Sequence, residues 1–243
     1  MNAANQPMAS PAIRQRRHAL EGGSLRAAVF GANDGLVSNA SLILGMVGAG
    51  AAQDTVLTAG VAGLLAGALS MAAGEYVSMR SQREYFESRI ARARADLEEC
   101  PKSEIEALAL IYAARGIAPA EARRLAAQLV AHPEHGLDVL AREVLGLNPD
   151  DLGSPPRAAA ASFLAFASGA SVPLVPFLLG IGLPEAAFAG VGLGALGLFA
   201  AGAVVGRLSG RHPLRGGLRM LLIGGGAGAL AFGIGTLLGG VIG

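Results

Sequence analysis

Five apolar runs, at about residues 27–49, 55–79, 158–180, 185–206 and 218–241, leave this chain few ways to fold. A segment crossing a bilayer needs about 20 apolar residues. Inside hydrocarbon every backbone N–H and C=O must find a partner within the protein, which for runs of this length means α-helix. The composition agrees, with 52% hydrophobic and only 15% charged residues, against about 25% charged in a soluble domain. The expected fold class is all-α: a polytopic membrane protein with five transmembrane helices and a cytosolic helical domain between the second and third.

Residues 1–24 form a basic tail, with Arg14, Arg16 and Arg17, and are expected to be flexible. Residues 25–79 carry the first two transmembrane helices as an antiparallel hairpin, since only Gly50 to Asp54 separate them. Residues 80–157 recover a soluble density of charge and contain no spanning run. Phe86, Ile90, Ala93 and Leu97 continue the second helix as an amphipathic stretch that Pro101 ends. Ser103 and Glu106 read as a capping box for the next helix, with Ile105, Leu108 and Tyr112 on its apolar face and Gly116 as its stop. Pro119 starts a third helix carrying Ala122, Leu125, Ala126 and Leu129, and a fourth, with Leu137, Leu140 and Val144, ends at Gly146. Residues 158–243 carry the last three transmembrane helices. Pro173 and Pro176 interrupt the third, and glycines four residues apart (190/194, 202/206, 224/228, 235/239) let the others pack backbone to backbone.

Charge placement orients the spans. With the N-terminus inside, all 19 Lys and Arg lie before the first span, in 80–157, or in the loop holding Arg207, Arg211, Arg215 and Arg219. The positive-inside rule selects that arrangement, with a cytosolic N-terminus and the C-terminus outside. One cysteine, Cys100, excludes an intramolecular disulfide and gives no cysteine metal signature. The polar, arginine-bearing start of the chain is not the pattern of a cleavable signal peptide.

Both arms of the hairpin carry a carboxylate. Asp34 sits early in the first span among Asn33, Gly35, Ser38 and Asn39, and Glu75 sits late in the second. A charge at the bilayer centre costs roughly 2.5–3.5 kcal/mol on insertion scales, so an ion or proton pathway is the default reading. Oxygen donors around Asp34 suit a hard or borderline divalent cation. Met71, Glu75 and Met79 share a helical face, and thioethers beside a carboxylate suit a metal such as Fe²⁺ better than Mg²⁺ or Ca²⁺. Plainer readings stand beside these: the methionines as packing, Asp34 as an interfacial cap, Glu75 as a group snorkelling to water.

In 80–157, Asp96, Glu98, Glu99, Glu104 and Glu106 crowd around Pro101, with Asp138 and Glu143 on the last helix and His132 and His135 before it. Helical bundles build metal sites by converging such side chains; the same residues would also serve as a solvated surface. No nucleophile–base triad, phosphate-binding loop or dinucleotide fingerprint is present, so neither enzymatic activity nor a nucleic-acid partner is expected.

The runs G-A-N-D-G-L-V-S-N (31–39), A-L-S-M-A-A-G-E-Y-V-S-M-R-S-Q-R-E (68–84), I-Y-A-A-R-G-I (111–117) and S-G-A-S-V-P-L-V-P-F (168–177) resemble the vacuolar iron transporter family, including its bacterial and nodulin-like branches, over roughly residues 25–243. The resemblance implies a homodimer with its pore at the subunit interface, exchanging Fe²⁺, often Mn²⁺, for protons and moving metal out of the cytosol. It implies Asp34 and Met71 as the pore-lining carboxylate and methionine, Glu75 as a further candidate, and Asp96 and Glu104 as metal-binding positions of the cytosolic domain. The chain departs from the family where further acids belong: Ala93, Ala107, Val144 (beside Glu143) and, in the second span, Gly63. Glu98, Glu99, Glu106 or Glu143 would have to substitute.

The expected function is therefore a proton-coupled divalent metal transporter. It would work in a lipid bilayer, a bacterial inner membrane fitting best, with metal ions and protons as its small partners and no tightly bound cofactor beyond the transported Fe²⁺ or Mn²⁺. The alternative is a membrane-anchored metal-binding or sensing module without transport. A soluble helical enzyme with a very apolar core is disfavoured by the five runs and the charge asymmetry.

Overall fold

A computed structural model describes residues 11–132 and 135–242, with side chains for 29–132 and 135–241. All regular structure among these residues is helical: α1 (Pro11–Gly48), α2 (Gln53–Glu99), α3 (Pro101–Ala114), α4 (Pro119–Val130), α5 (Gly136–Glu143), α6 (Pro155–Ser171), a 3-10 turn (Val172–Leu174), α7 (Val175–Leu178), α8 (Glu185–Leu208) and α9 (Pro213–Ile242). The first ten residues of the expected tail lie outside the described residues, and α1 begins at Pro11, within the rest of it. The chain forms two compact units, one holding residues up to Gly74 and from Ala159 onward, the other Glu75–Ala158.

Among the described residues, four stretches of the chain are long and apolar enough to cross a membrane: within α2, across Pro155–Leu178, α8, and Pro213–Val241 of α9. In the first unit, α9 packs against both α8 and α1, and α1 against α8. One core joins Ile43, Val56, Leu174, Phe177, Ala186 and Ala187; another joins Ala68, Phe166 and Ala170, with Met71 packed against it. The two prolines act as the sequence suggests. Proline offers no N–H to the helical ladder, so α6 ends at Ser171 and the chain passes through the 3-10 turn before α7. The α1–α2 turn is closed by Gly50 at φ +75°, a left-handed backbone that glycine adopts without strain.

The glycine rows bring backbones together. A methyl at Gly35 would lie 2.7 Å from the Ala170 nitrogen and closer still to the Phe166 carbonyl oxygen, and one at Gly169 would overlap the Ala32 carbonyl. These contacts seat α1 directly on α6.

In the second unit, α3, α4 and α5 close around Leu108, Ala109, Ala122, Ala126 and Leu140. A fully buried leucine of this kind contributes about 1.5–3 kcal/mol by leaving water. Two local readings are corrected. Pro101 does not merely end α2; it occupies the first turn of α3, whose N-cap is Cys100 with no side-chain cap bond. Ser103 is therefore already inside the helix, and the Glu106 carboxylate turns to Arg123 instead of closing a capping box. Leu125, read as apolar-face, is exposed. Gly116 and Gly146 end their helices with positive φ, as read.

Candidate metal site

The sequence N-D-G at 33–35 is a poor helix former by itself. It is helical because Gly31 and Gly35 let α1 lie against α6. That packing presents Asp34 to a cavity of about 390 Å³, whose wall also includes Ser38 and Asn39 from α1, Gly63, Ser70 and Met71 from α2, and Phe166 from α6. Two helices thus bring the expected carboxylate and the expected thioether to one space. A methyl at Gly31 would lie 3.5 Å from Met71 Cε, so the thioether reaches α1 within one turn of Asp34.

The polar groups here are held to differing degrees. Ser38 Oγ donates to the Asp34 carbonyl oxygen at 2.6 Å. Asn39, 2% exposed, donates from Nδ2 to the Ala170 carbonyl at 2.6 Å. Its Oδ1, like Asn33 Oδ1 and Ser41 Oγ, is buried without a hydrogen-bond partner. Leaving a buried acceptor unmade costs about 1–3 kcal/mol. Gly63 stands beside this orphan: a methyl there would meet Asn39 Oδ1 at 3.3 Å and the Leu42 side chain at 2.6 Å. Asp34 itself is exposed in the single chain. Glu75 lies one turn beyond Met71 on α2, half-buried, within the other unit, and is not among the residues lining this cavity. Ser70 and Phe166 were not singled out from sequence. Ser70 carries a hydroxyl in an apolar run next to Met71, which is a usable signal; Phe166 gives none.

In the second unit, Asp96 and Glu104 line one cavity of about 370 Å³ together with Arg89, Arg92, Ala93, Ala107 and Val144. The three positions where the family pattern calls for acids do converge here, but as apolar residues, and two arginines share the space. Glu98 lines a different cavity, of about 490 Å³, with Arg94, His132 and Asp138. Glu99 is exposed at the end of α2. Glu106 is gripped by Arg123 through two bonds of 2.8 and 2.9 Å, and Glu143 by Arg115 at 2.6 Å. The bond from Arg123 holds the Glu106 carboxyl below its ordinary range, and the bond from Arg142 does the same for Asp138. Burial pushes the Tyr112 hydroxyl up. His132 and His135 meet Nδ1 to Nδ1 at 3.0 Å. Among the described residues, no three His, Cys, Asp or Glu side chains converge as a ready-made metal cage.

Comparison with known proteins gives a consistent result. A family profile described as the VIT family matches residues 25–236. The chain is 37% identical over 235 residues to the vacuolar iron transporter of Acanthamoeba castellanii, covering 93% of this chain and 84% of that protein. It is 33% identical over 219 residues to vacuolar iron transporter 1 of Arabidopsis thaliana, covering 89% and 86%. It is 30% identical over 218 residues to vacuolar iron transporter 1 of Oryza sativa subsp. japonica, covering 90% and 86%.

Proposed function

The chain belongs to the VIT family, and from that premise we propose that it is an integral membrane transporter that carries Fe²⁺, with Mn²⁺ as a second cargo, out of the cytosol in exchange for protons. The observation that carries the reading is the single cavity to which Asp34 and Met71 both contribute. A carboxylate beside a thioether, among uncharged oxygen donors, offers a borderline divalent metal a mixed hard and soft site.

The cycle follows from the chemistry of the donors. A carboxylate holds a cation only when deprotonated, so metal and proton compete for Asp34. With the carboxylate facing the neutral or alkaline side it loads; facing an acidic compartment it takes a proton and releases. Asn39 Oδ1, Ser38 and Ser70 sit where they would replace part of the water shell the ion loses. Glu75, one turn towards the charged end of α2, is the next acceptor on the same helix. Asp96 and Glu104, with Glu98, Glu99, Glu106 and Glu143 around them, would draw metal to the cytosolic unit before it enters. The arginines at Glu106 and Glu143 make those two the weakest of the set.

We further propose a homodimer with the pathway at the subunit interface. Its support is the cost of leaving Asp34 exposed to hydrocarbon in a lone subunit, together with the bare row Val61, Leu65 and Leu69 on α2 beside the cavity. In this reading α1 is the fifth spanning helix, residues 80–157 face the cytosol with the N-terminus, and the C-terminus lies outside. A bacterial inner membrane suits this arrangement; the relatives bear vacuolar names.

The test is flux in proteoliposomes under an imposed pH gradient. Wild-type protein is expected to accumulate Fe²⁺ and Mn²⁺ on the acidic side, and Asp34→Asn to fall to the level of empty liposomes. Undiminished flux in Asp34→Asn would remove the assigned role. Metal binding by wild-type protein with no flux in any gradient would support the non-transporting alternative.

A further inference from the structure

A larger cavity, about 720 Å³, lies at the turn between α8 and α9, away from the Asp34 cavity. Arg211, His212, Arg215 and Arg219 line it and no acid does. Every ion pair among the described residues falls between residues 80 and 150, so none involves these arginines. Arg215 and Arg219 are one turn apart on the same face of α9, and Arg211 precedes Arg215 by the same interval. They sit within the first two turns of α9, where the helix dipole already presents positive charge and where the first turn holds no acid. Like charges four apart on a helix repel. The site therefore presents a concentrated positive field that no lining carboxylate offsets.

The floor of the cavity is backbone. Gly202 of α8 and Gly216 of α9 face each other so closely that a methyl on either would strike the other's carbonyl oxygen, and Gly206 lies one turn on. Gly206 and Gly216 line the cavity and put no side chain into it. Beside the arginines, on α9, Leu214, Leu218 and Leu222 form a row four residues apart, all more than half exposed, and Leu208 adds a fourth bare leucine at the end of α8. A free phosphate would need only the cations. A cationic pocket with an exposed apolar row on the same helix, at the end of two membrane-length helices, fits a molecule with an anionic head and an acyl tail.

We propose that this cavity binds an anionic phospholipid, its phosphate on Arg211, Arg215 and Arg219 and its acyl chain along Leu214, Leu218 and Leu222. Juxtamembrane cations attract anionic headgroups, and the guanidinium fork matches phosphate oxygens in pairs.

The test uses full-length, delipidated protein in detergent. Native mass spectrometry and thermal melting are read with added phosphatidylglycerol, with phosphatidylcholine, and with 10 mM inorganic phosphate. The expected result is retained phosphatidylglycerol adducts and a raised melting temperature with phosphatidylglycerol alone. The variant Arg211→Gln/Arg215→Gln/Arg219→Gln is expected to bind that lipid on the order of a hundredfold more weakly, from about fivefold per lost cation near a charged headgroup. Its melting temperature in phosphatidylcholine is expected to match wild type, because the three side chains are exposed. Equal binding of phosphatidylcholine by wild-type protein overturns the proposal, as does a phosphate effect equal to that of phosphatidylglycerol. Unchanged phosphatidylglycerol binding by the variant overturns it too. If the variant does not fold, the two wild-type comparisons still decide the matter.

Discussion

Gly35→Ala is the most direct test of how the Asp34 cavity is built. The new methyl would sit 2.7 Å from Ala170 N and nearer to the Phe166 carbonyl, both backbone atoms that cannot swing aside. To reach an ordinary contact of 3.4 Å, the methyl must move about 0.7 Å away from Ala170 N and farther still from the Phe166 carbonyl, so α1 and α6 must separate by more than about 0.7 Å at this crossing. Overpacking of that kind costs typically about 1–3 kcal/mol. The same separation strains the bond from Asn39 Nδ2 to Ala170 O, and a buried donor left unmade adds about 1–3 kcal/mol. Together these predict a loss of roughly 2–6 kcal/mol. For a chain of this length about 2–4 °C is lost per kcal/mol, so the melting temperature is expected to fall by about 4–24 °C. Purified protein in one detergent, followed by intrinsic tyrosine fluorescence or light scattering on heating, measures this. Gly225→Ala is the control: nothing lies within 4 Å of its methyl, and alanine is the better helix former by about 0.5–1 kcal/mol. If Gly35→Ala melts within a degree of Gly225→Ala, the α1–α6 contact does not hold the site as described. Metal flux should drop alongside, because Asp34 moves with Gly35.

Three further outcomes are expected. Met71→Leu keeps volume but removes the thioether sulfur, so it should raise the Fe²⁺ concentration for half-maximal flux several-fold while leaving melting nearly unchanged; equal dependence on concentration would count against a ligand role. Ala93→Glu/Ala107→Glu places two acids in the cavity that already holds Asp96 and Glu104, and should create Mn²⁺ binding measurable by calorimetry at neutral pH, absent or much weaker in wild type. The third concerns acid. Glu106 and Asp138 have carboxyls held below their ordinary range, so their contribution to stability is present above the unfolded carboxylate range and disappears as pH falls through the lowered folded value. Far-ultraviolet circular dichroism melts should be flat from pH 8 to about 5 and weaken below about pH 4. Arg123→Ala should reduce the acid sensitivity only slightly, since the pair is exposed and screened by solvent.

What was legible in the sequence is what depends on local pattern or on a rule with few exceptions. Apolar length marked the helices, and Pro173 with Pro176 the break between α6 and α7. Glycine spacing marked backbone crossings at 202/206 and 235/239, whereas Gly224 and Gly228 meet side chains and the Gly35–Gly169 crossing has no such spacing. Asp34 stands out as a charge in an apolar run, whereas Met71 is marked by its shared helical face with Glu75 and Met79 and by the family resemblance. Other features depend on meetings between residues far apart in the chain. Arg123 is 17 residues from Glu106, and Arg115 is on a different helix from Glu143, so no spacing argument would pair them. Phe166 is an ordinary aromatic in an apolar run until α6 folds it over Gly67. The capping-box reading failed for a local reason: Ser103 and Glu106 have the correct interval, but Pro101 is suited to the first turn and starts the helix three residues earlier, with Cys100 as N-cap.

The two walls of the Asp34 cavity are fastened differently. On α1 the contacts run main chain to main chain: Gly35 and the Ala32 carbonyl against α6, Gly45, Gly48 and the Ala49 carbonyl against α9. On α2 the contacts are with side chains: Gly60 meets Leu174 and Ile43, Gly63 meets Leu42 and Asn39, and Gly67 meets Phe166. Main chain seated on main chain behaves as a doorpost, whereas contacts through rotatable side chains behave as a leaf that can swing by changing rotamers. The carboxylate belongs to the post and the thioether to the leaf. In the proposed transport cycle, Met71 is therefore the group expected to travel and Asp34 the one expected to stay.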